Sequence, residues 1–473
     1  MLLAATLALF AVAPPQNPPP QPLRIGNVLP QATVMASGVG SDSETGIGAL
    51  IPWADKLWAI GYVAHVRGSG IGLYSMDADM VLRPHPASVT GTFANRLVHW
   101  DSKQVFLGPH AIAADGTVRT IEALQGHRLT ATCRHLIDPK QKVYFLTMEG
   151  LLFEVDVTTL AATQLTNLVD KLAIPKGAQV HFKGAFSAQG RLVVANNTYE
   201  EPEYLGQRAA GRLAEWDGIS WTVLEQNPFV EVSGKQNQVA GARYGNTLWA
   251  LGWDRGSVIL RALHNGKWTR YRLPKGSQSF DHTWNTEWMR IREVQTERYL
   301  MDAFGTFFDL PPMVYGGVIG PIRPICTHLR ICPDFVSWRG MLVLAGDQTD
   351  NAVGQPQSGL WFGHLDELWR WGKPQGWGAV WWQQNVDEGA VSDPFLMTGY
   401  EHKVVHVVND GSTAAEVVVE VDVLGNGVFR EYVRLGAGPQ GYVHHVFPSG
   451  FSAHWVRVRS CRAGTLTVSF HYT

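Results

Sequence analysis

The sequence predicts an all-β fold: a seven-bladed β-propeller followed by a small β-sandwich-like module. Three observations predict it. One short apolar strand recurs seven times, hairpin signals follow most of its copies, and no segment sustains a 3.6-residue apolar period.

The recurring strand follows a turn and ends in polar or glycine residues. Its copies are Lys56-Leu-Trp-Ala-Ile, Gln104-Val-Phe-Leu-Gly, Lys142-Val-Tyr-Phe-Leu, Arg191-Leu-Val-Val-Ala, Thr247-Leu-Trp-Ala-Leu, Glu297-Arg-Tyr-Leu-Met and Gly340-Met-Leu-Val-Leu. The steps between their starts are 48, 38, 49, 56, 50 and 43 residues, the period of a propeller blade. A further strand then runs to an Asp turn, as in Gly72-Leu-Tyr-Ser-Met-Asp77, Leu152-Phe-Glu-Val-Asp156, Leu213-Ala-Glu-Trp-Asp217 and Leu360-Trp-Phe-Gly-His-Leu-Asp366. Asp115-Gly116 and Asn265-Gly266 are hairpin turns of the same kind. Small-residue stretches such as Thr45-Gly-Ile-Gly-Ala-Leu50 precede several copies and suit a crowded innermost strand. Each unit therefore reads as four antiparallel strands.

From about residue 395 the pattern changes to mostly alternating runs. These are Lys403-Val-Val-His-Val-Val, Glu416-Val-Val-Val-Glu-Val-Asp-Val, Gly441-Tyr-Val-His-His-Val, His454-Trp-Val-Arg-Val-Arg and Thr465-Leu-Thr-Val-Ser-Phe. Five such strands suggest a sandwich-like module. Two roles are open to the last run: a strand of that module, or the strand that closes the ring against the first blade. The expected organisation is a leader and linker over 1–22, the propeller over 23–395 and the module over 396–473.

The leader is an apolar stretch ending in Ala11-Val-Ala13, a signal-peptide pattern without the usual early Lys or Arg. Residues 14–22 are Pro-rich and read as a stiff linker. The chain is therefore expected to be exported and, with no second apolar segment, not to span a membrane. It is expected to act as a monomer. A net charge of -2 with no basic block argues against a nucleic-acid partner. The four cysteines form no Cys-x-x-Cys pair, so a zinc site is not expected. Export permits a disulfide, Cys326 with Cys332 being the nearest pair, but a chain this long does not need one.

In a propeller, one face gathers the starts of innermost strands, the ends of second strands and the links between blades. The ends of second strands bring His65, Arg67, His110, Glu149, Asn196, Asn197, Tyr199, Trp253, Asp254, Arg255, Asp302, Asp347 and Gln348 to that face. The lead-ins bring Glu44, His85, His127, Arg128, His181, Lys183, His282, Trp284, Asn285, His328 and Arg330. A long insertion over 198–211 adds Tyr204 and Arg208, and long loops on rigid scaffolds commonly bind ligands. Arg and His neutralise carboxylates, neutral His accepts protons near physiological pH, and Trp and Tyr faces stack on sugar rings. The set suits an anionic saccharide. Each residue alone has a plainer reading. A single His at a strand end is more often a structural hydrogen-bonding group. Trp58, Trp249 and Trp361 read as core, and Asp77, Asp156 and Asp217 as turn caps. Trp369, Trp371, Trp377, Trp381 and Trp382 read as packing between the seventh blade and the module. No P-loop, serine nucleophile elbow or metalloprotease helix is present.

Several stretches resemble one family of seven-bladed propellers. They include Glu44-Thr-Gly-Ile-Gly-Ala-Leu50, Ile51-Pro-Trp-Ala-Asp55, Tyr62-Val-Ala-His65, Gly91-Thr-Phe-Ala-Asn-Arg96, Gly108-Pro-His110, His127-Arg-Leu-Thr-Ala-Thr132, Tyr144-Phe-Leu-Thr-Met-Glu-Gly150 and Asn196-Asn-Thr-Tyr199. The family comprises rhamnose–glucuronate lyases and related α-L-rhamnosidases (polysaccharide lyase family 42 and glycoside hydrolase family 145). The likeness is densest over residues 44–220. It implies action on L-rhamnose-α-1,4-D-glucuronate ends of arabinogalactan or gum arabic glycans. The lyases perform β-elimination, and two His 20 residues apart lie in their site; His65 and His85 show that spacing. The resemblance thus implies acid and base roles for His65 and His85, with Tyr199 a further acid candidate. Arg128, Arg208 and Arg330 are the candidates for gripping the uronate carboxylate. His127, Asn196, Asn197, Trp253, Arg255 and Trp284 complete the expected binding set. The hydrolases use a His on the opposite face, which no motif locates here. A calcium ion near the channel is also implied by the family, although no calcium-loop motif is readable. A non-catalytic saccharide-binding propeller is the third reading.

Overall fold

The computed structural model describes residues 28–34, 45–63, 72–197, 210–234, 247–277, 284–312, 314, 321–328, 330–348 and 358–473. Residues 1–27, with the expected leader, and His65, Tyr199, Tyr204, Arg208 and His282 lie outside the described residues.

Seven antiparallel sheets ring a central axis. All seven recurrences predicted from sequence are the second strand of a blade. Blade 1 is Thr45–Trp53, Lys56–Val63, Leu73–Met76 and Leu82–Pro84. Blade 2 is Arg96–His99, Gln104–Leu107, His110–Ala113 and Val118–Thr120. Blade 3 is Leu129–Arg134, Lys142–Thr147, Leu151–Asp156 and Ala162–Asn167. Blade 4 is Phe182–Ala188, Arg191–Asn196, Arg212–Trp216 and Trp221–Glu225. Blade 5 is Phe229–Gly234, Leu248–Trp253, Val258–His264 and Lys267–Leu273. Blade 6 is Arg290–Gln295, Arg298–Ala303, Thr306–Leu310 and Arg323–Thr327. Blade 7 takes Phe335–Trp338, Met341–Ala345 and Ser358–Gly363.

The fourth strand of blade 7 is Val28–Val34, paired antiparallel with Ser358–Gly363. The ring is therefore closed by the start of the chain, not by its last strand. The third strand of blade 7 also stops at Gly363, and Asp366 lies in a 3-10 turn, Leu365–Arg370, rather than at a hairpin. Asp156 and Asp217 do cap their turns, each Oδ1 accepting two backbone N–H groups.

Innermost strands carry a bulge at the same place in blades 1, 3, 4 and 5, leaving residues 48, 130, 183 and 230 as the extra ones. A bulge re-aims a side chain, and in blade 4 it brings Lys183 to the axis. In blade 1 the extra residue is Gly48, where a Cβ would lie 2.0 Å from the Phe93 carbonyl oxygen. No other residue fits where that strand meets the lead-in to blade 2. Between blades the core is aromatic and aliphatic: Trp58, Ile60, Phe106 and Phe145 join blades 1 to 3, all at 1% exposure or less. Each such side chain contributes about 1.5–3 kcal/mol by leaving water.

The C-terminal module is a two-sheet sandwich. One sheet orders Gly376–Val386, Gly464–Tyr472, Lys403–Asn409 and Tyr442–Val446. The other orders Phe395–Leu396, Trp455–Ser460, Ala415–Asp422 and Arg430–Ala437. Val405, Val407, Val417, Val419, Val458, Val468 and Phe470 fill the space between them. Phe395 also pairs in parallel with Arg272, so the second sheet continues blade 5 outward. Two expectations are corrected here. The module begins at Gly376, about twenty residues before 396, because its first strand hides in the Trp-rich stretch. It also docks on blade 5 rather than blade 7: Arg255 of blade 5 stacks 4.9 Å from the Trp382 ring, whereas Trp371 stays on blade 7, 5.2 Å from Trp361. The four cysteines are free thiols.

A chain beginning at residue 36 loses the closing strand and leaves Ser358–Gly363 as a bare edge. It should lose its single cooperative thermal transition and scatter light on heating. An unchanged melting midpoint would show that the ring closes without that strand.

Candidate functional site

The face that gathers second-strand ends and blade links carries three groups of polar residues. The first lies at the margin of blades 1 and 2. His85 follows the outermost strand of blade 1, and its backbone N–H donates to the Leu73 carbonyl at 2.8 Å. Its Nδ1 accepts the Ala87 N–H at 3.2 Å, and its ring sits 5.5 Å from Trp58. Neutral His85 therefore carries its proton on Nε2, which makes no hydrogen bond among the described residues. Burial and the nearby Lys56 charge hold its pKa below the ordinary imidazole value. His110 sits close enough for the two imidazoles to repel as cations, and burial pushes its pKa down to about 4. Its Nδ1 lies 3.0 Å from Thr120 Oγ1, while its buried Nε2 finds no partner. Both rings are neutral at pH 7.

The second group plugs the mouth of the channel. Tyr62, Met148 and Trp288 form an apolar floor, with Tyr62 and Trp288 edge to face at 4.7 Å. Lys183 lies 5.1 Å from the Trp288 ring and pairs with Glu287, which also accepts from Asn197 Nδ2 at 3.0 Å. Both Lys183 and Glu287 are buried.

The third group lies deeper on the axis. The Asp334 carboxylate accepts the Leu50 N–H at 2.7 Å and the Arg292 Nε at 2.7 Å, and stands 3.4 Å from Arg96 Nε. Arg292 Nη1 reaches Glu231 at 2.6 Å, and Arg290 lies 3.7 Å from the same carboxylate. All five charged residues are buried. Sequence reading passed over Asp334, Glu231, Arg290 and Arg292. The available signal was a charge set into an apolar innermost strand, as in Val230-Glu-Val232 and Arg290-Ile-Arg292.

The expected binding set is only partly assembled. Asn196 and Asn197 are buried, and Asn197 holds Glu287 rather than facing a substrate. Trp253 is core, 1% exposed and 5.9 Å from Phe304. Arg255 lies in the cleft between blade 5 and the sandwich, away from the channel mouth, lined also by Arg272, Trp382 and Gln384. Arg128 is neutralised by Glu149 at 2.5 Å, so its charge is already compensated. The His127 ring packs 5.1 Å from Phe153. Trp284 opens the short helix Trp284–Glu287, and its side chain lies outside the described residues. Arg330 remains: its Nε has no hydrogen-bond acceptor, and its Nη2 lies beside Gly346, whose carbonyl accepts the Ile47 N–H of blade 1. His85 thus follows blade 1, and Arg330 lies beside Gly346 of the neighbouring blade 7.

A calcium ion does not fit the described channel. Calcium takes six to eight oxygen ligands, whereas the cavity on the axis is lined by Arg96, Lys183, Arg290 and Arg292 with one carboxylate, Glu231. Among the described residues no group of three metal-binding side chains occurs, and no helix is long and apolar enough to cross a membrane.

The depressed His110 pKa has a consequence for stability. The unfolded chain binds this proton near pH 6.5 and the folded chain only near 4, so stability is full above 6.5 and is lost as pH falls between these values. The loss from this residue is about 3 kcal/mol. Denaturant midpoints measured from pH 7 to 4 should fall less steeply for His110→Gln than for the wild type. Parallel curves would show that His110 does not titrate this way.

No family model matches the chain, and no curated protein does. The solved structures it is similar to include the WD40 repeats of RRP9, at 11% identity over 71% of this chain and 98% of that chain, TM-score 0.42. The WD40 β-propeller domain of Doa1 is similar at 11% identity over 72% and 98%, TM-score 0.38. The computationally designed Ika8 protein is similar at 11% identity over 72% and 99%, TM-score 0.37. The propeller assignment itself stands on the strand pairing: seven sheets in a closed ring, the last completed by the first strand of the chain.

Proposed function

We propose that this protein is an exported lyase that cleaves terminal L-rhamnose-α-1,4-D-glucuronate on acidic plant-type glycans by β-elimination. The observation that carries this reading is His85: a half-buried, neutral imidazole at the loop-bearing face, oriented by Ala87 and with Nε2 left for a substrate. The sequence likeness around blades 1 to 4 supports the substrate class.

In β-elimination a base removes the uronate C5 proton, the electron pair forms the C4=C5 double bond, and the C4–O bond breaks. The bridging oxygen leaves with rhamnose and takes a proton. The uronate carboxylate must be neutralised first, so that C5 becomes acidic. In its cationic form His85 can give the Nε2 proton to the departing oxygen and return to the neutral imidazole. The base role then falls to His65, the other His of the 20-residue spacing. Arg330, with a guanidinium that is not fully partnered, suits the carboxylate better than the compensated Arg128.

Incubation with gum arabic should give free rhamnose together with the ultraviolet absorbance of an unsaturated uronate. Rhamnose without that absorbance would point to an α-L-rhamnosidase, and binding without product to a saccharide-binding propeller. His85→Ala should reduce elimination at least 100-fold, the lower range for loss of a positioned acid or base. Because burial depresses the His85 pKa, its cationic form grows only on the acid side of 6.5. The rate optimum should therefore lie below pH 6.5, and an optimum above pH 8 would sink the donor assignment.

A further inference from the structure

The Arg255 guanidinium is held in place, but its donors are not used. It lies 4.9 Å from the Trp382 ring, a cation–π contact that fixes the side chain without engaging its N–H groups. Among the described residues it has no hydrogen bond and no ion pair. The neighbouring charges are settled among themselves. Asp254 Oδ1 accepts the Gly256 and Ser257 N–H groups at 2.9 Å, and its Oδ2 accepts from Arg272 Nη1 at 2.7 Å. Asp393 answers Arg270 and Arg272, both at 3.0 Å. Arg255 stands outside this cluster.

Arg255 opens on the cleft between blade 5 and the sandwich, a cavity of about 260 Å³. Domain junctions are common ligand sites, and small-molecule clefts begin at about 300 Å³. The walls are preformed. The Ala379 N–H donates to the Gly256 carbonyl at 2.7 Å, and Lys275 and Trp377 exchange two backbone hydrogen bonds at 2.8 and 3.0 Å. A Cβ on Gly256 would lie 2.8 Å from the Ala379 carbonyl oxygen, so glycine is needed for this approach. The strand on the far wall, Gly376–Val386, shifts register twice over the same stretch. Gln383 sits there at φ 46°, left-handed backbone that a non-glycine residue rarely adopts. Its N–H is tied to Thr467 Oγ1 at 2.9 Å. Register shifts re-aim side chains, and strained backbone gathers at ligand sites. Here the irregular stretch sets Trp382, Gln383 and Gln384 along the cleft. Both glutamines are exposed, and their amides have no protein partner among the described residues.

We propose that this cleft binds a hexuronate residue of an acidic saccharide, as a second site separate from the rim of blade 1. Arg255 takes the carboxylate through its paired N–H donors. Gln383 and Gln384 each carry amide donors and an acceptor, the complement of neighbouring sugar hydroxyls. One uncompensated guanidinium suits a monoanion. A phosphate dianion would need a second cation, and Arg270 and Arg272 are already engaged. A simple aliphatic acid would leave the glutamine amides facing only water. The inference does not rest on the lyase reading, because the site would hold an internal uronate whether or not the glycan terminus is cleaved.

The test uses the full protein labelled with 5-fluorotryptophan, the Trp382 fluorine resonance being identified by its loss in Trp382→Phe. Methyl β-D-glucuronide carries no rhamnose, so it cannot undergo the proposed elimination and reports binding alone. Its titration should move the Trp382 resonance to a plateau. Methyl β-D-glucoside and sodium acetate, at the same concentrations and ionic strength, should not. Arg255→Gln should weaken the glucuronide response roughly tenfold or more, the loss of a hydrogen bond to a charged group. A Trp382 resonance that ignores the glucuronide overturns the proposal. So does an equal response to the glucoside or to acetate, or an Arg255→Gln protein that responds as the wild type does. The three wild-type titrations decide the matter if that variant fails to fold.

Discussion

The carboxylate of Asp334 is the contact on which the ring depends. It stands just before the innermost strand of blade 7, fully buried, and engages Leu50 of blade 1, Arg96 of blade 2 and Arg292 of blade 6. One side chain thus ties four of the seven blades at the axis. Arg292 carries the network on to Glu231 of blade 5. A buried ion pair gives little net stability over an apolar isostere. Its value here is geometric, because each bond admits one register between blades that share no backbone hydrogen bonds along most of their length.

That network also decides where chemistry has room. Above it, Tyr62, Met148 and Trp288 close the mouth of the channel, and Lys183 and Glu287 satisfy each other beneath them. On the proposed reading a saccharide lies across the rim, near His85 and Arg330, and not in the axis. The sandwich takes the outer edge of blade 5. The rim and the plug therefore have separate tasks: the plug holds the ring rigid, and the rim presents groups to solvent.

The blade count was legible because each second strand is apolar on both faces and starts after a turn, a local pattern that needs no partner to be recognised. The hidden strand Gly376–Val386 was not legible. Its register shifts twice against Gly464–Tyr472, between Ala379 and Trp381 and again before Gln384, so its residues alternate imperfectly and read as loop packing. Trp253 and Asn197 show the limit for site residues. Both stand at a strand end on the expected face, yet one turns into the core and the other holds a buried carboxylate. Strand-end position is a property of sequence, whereas the direction in which the side chain leaves the strand depends on the neighbouring blade.

The sequence by itself determined the all-β class, the seven units, the turn caps at Asp156 and Asp217 and a short catalogue of His and Arg on one face. All of these follow from local periodicity and turn chemistry. Only the tertiary structure decided that the first strand rather than the last closes the ring, that the sandwich docks on blade 5, that Arg128 is already compensated, and that three arginines meet on the axis. These are pairings between residues up to hundreds of positions apart. The partner in each case is chosen by which edge or charge lies across the gap, and no stretch of sequence carries that information alone.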